Sequence, residues 1–120
     1  MLRGEAKAHA EQIISPAGTP VSVIRFEGDI VGTSKNTVLA SFHGLPKEAS
    51  KYVLLDFTKV AYINSAGISL MVQLLMEAGK AGQEVHAFGL SRHFEKVFAV
   101  AGIDKYARLS HDQASALASL

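Results

Sequence analysis

The sequence predicts an α/β fold: a mixed, mostly parallel sheet of about five strands with about four helices, all in one domain. Three observations carry this. Strand-like and helix-like segments alternate from residue 28 onward. The segments "YVLLDF" (52–57) and "QEVHAFGL" (83–90) are near-continuous apolar runs, the pattern of strands covered by helices on at least one face. At 120 residues the chain suffices for one core and is too short for two.

The elements follow in order. Residues 1–10 read as a loose N-terminal segment and 11–120 as the folded domain. Ile13 and Ile14 precede a turn carrying Pro16, Gly18 and Pro20. After it, Val21, Val23, Arg25 and Glu27 alternate with Ser22, Ile24 and Phe26, so these two pieces read as a hairpin. Gly28 and Asp29 end its second strand. From Thr33 to about Leu45 the spacing is helical, with Thr33 or Ser34 as cap, Val38, Leu39 and Phe42 inward, and Gly44 and Pro46 as stop signals. "YVLLDF" follows, with Asp56 interrupting its end.

Ala66 to about Lys80 is the strongest helical pattern, closed by Gly79 and Gly82. Its core stripe reads as Ile68, Met71, Val72 and Leu75, with Leu70 and Leu74 to one side and Met76 to the other. That arc exceeds the ~100° of a helix packed on one side, so a second helix or a partner covers the excess. After "QEVHAFGL" comes a helix capped by Ser91, with Phe94, Val97, Phe98 and Ala101 inward. "YARL" (106–109) reads as a short strand and "DQASALASL" (112–120) as a last helix. Crossovers between parallel strands are expected to be right-handed.

Composition excludes several classes. The formal charge is +1, and there is neither a basic run nor a basic-aromatic stripe, so direct nucleic-acid binding has no support. The chain has no cysteine, which excludes disulfides and thiolate metal sites. No apolar run reaches the length of a signal peptide core or a membrane span, so the expected location is the cytoplasm, without membrane insertion. The five histidines, His9, His43, His86, His93 and His111, show no metal-ligand spacing and read as surface or satisfied core residues. No phosphate-binding glycine loop is present, and no cofactor is expected. "INSAG" lacks the first glycine of a nucleophile elbow, Ile63 standing there instead, so no enzymatic activity is expected.

The junction "AYINSAGISLM" (61–71) gathers Asn64, Ser65, Ala66 and Gly67 between a strand and a helix. A helix start leaves backbone N–H groups unpaired, and either Asn64 or Ser65 could cap them. Gly67 would allow a close backbone approach. The same geometry suits a modification site. Strand-to-helix loops at the carboxyl ends of parallel strands collect functional groups, and a helix start tolerates the added charge of a phosphate.

The stretch "YVLLDFTKVAYINSAGISLMVQLL" resembles the signature of STAS domains, in particular bacterial anti-sigma factor antagonists. Asp56 matches that family's strand-end Asp, Ser65 its phosphoacceptor serine and Gly67 its glycine. "FEGDI" resembles the turn after the second strand, and "SRHFEKVFAVAGIDKYARL" a later helix and strand. The resemblance covers about residues 11 to 118. Two positions depart from the pattern: Asn64 replaces the usual Asp, and Val31 stands where many antagonists carry an acidic residue.

The resemblance implies a cycle. The unphosphorylated domain binds an anti-sigma factor that is also a serine kinase, phosphorylation of Ser65 ends binding, and a phosphatase restores it. It also implies a partner surface made of Gly28, Asp29, Asn64, Ser65, Gly67, Ser69 and Gln73. The alternative is an unphosphorylated scaffold or subunit of a transport or signalling assembly.

Overall fold

The computed structural model describes residues 5–47 and 50–120. The strands are β1 (Lys7–Ile14), β2 (Pro20–Ile30), β3 (Tyr52–Ile63), β4 (Glu84–Phe88) and β5 (Arg108–Ser110). The helices are α1 (Lys35–His43), α2 (Ser65–Lys80), α3 (Arg92–Val100) and α4 (Gln113–Ala118). One sheet holds all five strands in the order β1-β2-β3-β4-β5. β1 runs antiparallel to β2, and the other neighbours are parallel. The predicted α/β class, mixed sheet and helix number are those observed.

That strand order decides where the helices go. Each crossover from β2 to β5 steps to the next strand in the same direction. Right-handed connections of one direction place α1, α2 and α3 on one face of the sheet. The main core forms there, joining Ile24, Phe26, Leu55 and Phe57 of the strands to Val38, Met71, Leu74 and Phe98 of the helices. The rings of Phe26 and Phe57 lie 5.4 Å apart, and Phe98 meets Phe57 edge-on at 5.6 Å. The chain then passes to the other face, where α4 brings Ala116 onto Val21, Val23, Leu54 and Phe88. Six residues cannot cover a whole sheet face. Beside the α4 patch the face is polar, with Arg25 bonded to Glu11 (Nε to Oε1, 2.7 Å) and to Asp56 (Nη1 to Oδ2, 2.8 Å).

Several expectations are corrected. β1 begins at Lys7, so Lys7–Ala10 belong to the sheet, pairing with Glu27 to Ile24; residues 1–4 lie outside the described residues. β2 continues through Gly28 and Asp29 to Ile30, bulging there rather than ending. Asp56 does not end its strand, because β3 runs on to Ile63. α1 starts at Lys35 after a 3-10 turn at Gly32–Ser34, and neither Thr33 nor Ser34 caps it by its side chain. The Ser34 hydroxyl instead accepts the Val31 N–H at 3.0 Å and donates to the Asp29 carbonyl at 3.3 Å. The short strand lies at Arg108–Ser110, two residues beyond the start of "YARL".

Candidate functional site

The carboxyl ends of β2 and β3 build the junction. Their register pairs Asp29 with Tyr62 and Ile30 with Ile63. The chain then leaves β3 with the Asn64 N–H donating to the Ile30 carbonyl at 3.2 Å. A β-carbon on Gly67 would stand 2.2 Å from that same carbonyl oxygen and 2.8 Å from the Ile63 side chain. The first turn of α2 therefore sits directly on the end of β2, and nothing larger than glycine fits.

Asn64 is the cap. Its side-chain oxygen accepts the Gly67 N–H at 2.8 Å, with extended backbone at Asn64 itself. Ser65 is consequently the first residue inside the helix. It is exposed, and no hydrogen bond among the described residues engages its hydroxyl. The sequence left the choice of cap between Asn64 and Ser65 open; the geometry assigns it to Asn64 and frees the serine.

The predicted surface residues divide into three groups. Ser65, Ser69 and Gln73 are exposed at four-residue spacing, one outer line of α2. Gly28, Asp29 and Asn64 are half-buried and lie beside the start of that line, because β2 and β3 are paired neighbours. Gly67 is buried, so it shapes the junction and presents no surface. Asp56 is not brought to the junction at all. Its Oδ1 accepts the Thr58 N–H at 2.8 Å and its Oδ2 binds Arg25 on the α4 side of the sheet, away from α2. Burial works against the Arg25 charge, but the hydrogen bonds from its guanidinium to Asp56 and Glu11 outweigh it and raise its pKa further.

The core stripe of α2 is also rotated from the predicted one. Gly67, Leu70, Met71, Leu74, Leu75 and Ala78 are buried, whereas Ile68 and Val72 are only half-buried and Met76 is exposed. Leu70 and Leu74 are thus central, because the sheet and α1 lie on that side. The rotation leaves Ile68 facing a groove of about 440 Å³ between the first turn of α2 and one side of α3. Ser65 lines it together with His93, Lys96, Val97 and Val100. Val100 is 91% exposed, and Ala101, expected inside, is exposed as well. Sequence reasoning did not single out this groove. The signal was there: 93, 96, 97, 100 and 101 follow helical spacing along one side of α3, next to the buried Phe94 and Phe98.

Among the described residues no group of three or more histidine and carboxylate side chains could hold a metal ion, and no helix is long and apolar enough to cross a membrane.

Comparison with known proteins places this geometry in a family context. The STAS domain model matches residues 12–116. An anti-sigma factor antagonist from Mycobacterium paratuberculosis superimposes with a TM-score of 0.77 at 16% identity, over 95% of this chain and 92% of that one. The Bacillus cell fate determinant SpoIIAA, in its phosphorylated form, gives 0.58 at 15% identity, over 88% and 92%. The murine solute carrier 26 family member A9, an anion transporter, gives 0.67 at 14% identity, over 99% of this chain but 22% of the transporter.

Proposed function

Because the chain belongs to the STAS domain family, we propose that it is an anti-sigma factor antagonist, binding a kinase/anti-sigma factor while Ser65 is unphosphorylated and released when Ser65 is phosphorylated. One observation carries this reading. Ser65 stands exposed at the start of α2 with its hydroxyl unused, since Asn64 has taken over the capping. The capping role that would have committed its oxygen to the helix is already filled by Asn64.

The chemistry asks little of the fold. The γ-phosphoryl group passes from ATP to Ser65 Oγ, the bond to the leaving ADP breaks, and the hydroxyl proton is lost to a base of the kinase. Nearly two negative charges then sit on the binding surface, beside free N–H groups of the helix start that tolerate them. The domain stays folded while the surface gains negative charge. The domain itself acts as a binding switch, without catalysing a reaction, and a phosphatase resets it. Likeness to an antagonist and to a protein that occurs in a phosphorylated form supports the reading.

A second reading, an unphosphorylated subunit of a transport assembly, draws on the superposition of nearly this whole chain on part of an anion transporter. One experiment separates the two. Incubation with a co-encoded anti-sigma serine kinase and ATP, followed by mass spectrometry, should place one phosphate on Ser65. Phosphate on Ser69 or Ser91 with none on Ser65 would overturn the assignment. On the same surface, a folded Ser69→Arg variant should lose complex formation with that kinase; undiminished binding would remove the outer line of α2 from the interface.

A further inference from the structure

The groove between α2 and α3 sets a lysine and a histidine beside Ser65. His93 and Lys96 come from the first half of α3, and both are exposed. Among the described residues neither belongs to an ion pair, although other charged side chains do pair: Arg25 with Glu11 and Asp56, Lys59 with Glu27. The His93 ring does rest edge-on against Phe94, with 4.8 Å between centroids, which holds the imidazole near its helix. The rest of the groove is aliphatic: Ile68, Val97 and Val100 contribute no charge. The remaining charged groups of the neighbourhood lie elsewhere. Arg92 and Glu95 are on α3 but do not line the groove, and Asp29 lines a separate hollow with Val31 and Thr37.

We propose that a phosphoryl group on Ser65 is received within the molecule by Lys96 and His93, so that phosphorylation closes the start of α2 onto α3 across the groove. This rests on Ser65 being the phosphoacceptor and adds the residues that hold the product state. The physical argument has three parts. A phosphate dianion presents three strong acceptor oxygens, enough for an ammonium and an imidazole N–H together. Lys96 brings a flexible stem with three donors, so it can reach a charge that does not yet exist in the unmodified protein. The two donors stand in water, so the contact is a charge-assisted hydrogen bond at the surface, weakened by salt. Phosphorylation would then do more than add charge to the outer line of α2. It would occupy the groove and withdraw Val97 and Val100 from any partner that uses them.

The test installs phosphoserine at position 65 by codon reassignment, with no kinase involved. The phosphorus NMR signal is followed against pH in the otherwise unaltered protein and in the Lys96→Gln, His93→Gln and double variants. The free N–H groups at the start of α2 act equally in all four, so differences isolate the two side chains. The second phosphate ionisation, ordinarily about 6, should lie lowest in the unaltered protein. It should rise by about one pH unit in the double variant, with the single variants between. Amide signals of α3 should shift on phosphorylation in the unaltered protein and stay still in the double variant. Identical titration midpoints in all four proteins, each shown to be folded by its amide spectrum, would overturn the proposal. The two readings fail separately. A latch seen with installed phosphoserine, but no transfer to Ser65 by the kinase, would sink the kinase-switch reading alone. Transfer to Ser65 with no difference among the variants would sink the latch alone.

Discussion

Two strand-to-helix junctions leave the same end of the sheet, one from β3 into α2 and one from β4 into α3. They solve the same problem with the same parts. Each has a glycine against a neighbouring backbone: Gly67 against Ile30, and Gly89, at φ +82°, where a β-carbon would stand 2.5 Å from the Thr58 hydroxyl and 2.7 Å from the Thr58 nitrogen. Each has a polar cap whose side chain accepts an N–H three residues on: Asn64 from Gly67 at 2.8 Å, Ser91 from Phe94 at 3.2 Å. Each has an exposed serine. The difference is the serine's employment. Ser91 is the cap, and its oxygen is committed to the helix. Ser65 sits one position later, behind a separate cap, and its oxygen is uncommitted. What makes a serine at a helix start available for chemistry is therefore the residue before it.

The largest expected effects test what the junctions share. Gly67→Ala should destabilise the domain by about 3 kcal/mol, since the methyl group would overlap a carbonyl that belongs to β2 and cannot step aside. Gly89→Ala meets backbone of β3 and adds a left-handed φ, so its loss should be at least as large. Urea denaturation of both variants checks this. A loss below about 1 kcal/mol for Gly67→Ala would show that α2 can slide on the end of β2, and the junction would not be the rigid platform described.

The next effect separates the two serines. Ser91→Ala should cost about 1 kcal/mol as a lost cap, a drop of about 4 °C in melting temperature. Ser65→Ala should stay within about 0.5 kcal/mol of the parent, since no capping bond is removed. Equal losses would mean that both hydroxyls serve their helices, and the contrast would vanish.

The smallest effects concern the caps themselves. Asn64→Asp should leave the melting temperature at pH 7 within about 2 °C, because the two residues cap equally well. The same change puts a charge beside Ser65 that repels phosphate, so its phosphorylation and dephosphorylation rates should both move. Unchanged rates would reduce Asn64 to a cap without regulatory meaning. Asp112 supplies the ionisable counterpart at the start of α4. The N–H of Ser115 bonds its carboxylate at 2.8 Å and lowers its pKa below the ordinary carboxylate value. A lowered folded pKa means that this cap contributes fully above the unfolded value of about 3.9 and is lost as pH falls through the lower folded value. The amide of Ser115 should accordingly become exchange-labile in acid, whereas that of Gly67, capped by a neutral amide, should keep its protection over the same range.

Much of this was determined by the sequence alone. Alternation of apolar strands with amphipathic segments set the α/β class, since each period of two or 3.6 residues has one face to bury. Ser91 as the cap of α3 was legible because a serine precedes a helical pattern that starts at once. Ser65 was legible as a candidate, since Asn-Ser-Ala-Gly is an unusual set of small residues between two apolar runs. Tertiary structure alone decided the rest, because local patterns do not record what packs against them. The role of Gly67 depends on the Ile30 carbonyl, 37 positions away in the chain and brought near by the parallel register. The burial of Leu70 and Leu74 in place of Ile68 and Val72 depends on the side from which the sheet and α1 approach α2. Alternation with Leu55 and Phe57 turns Asp56 to the α4 face, but the partner it meets there, Arg25, comes from the neighbouring strand through the register of β2 and β3. The groove that joins Ser65 to Lys96 exists because successive right-handed crossovers set α2 and α3 side by side on one face, and no residue of either helix specifies that by itself.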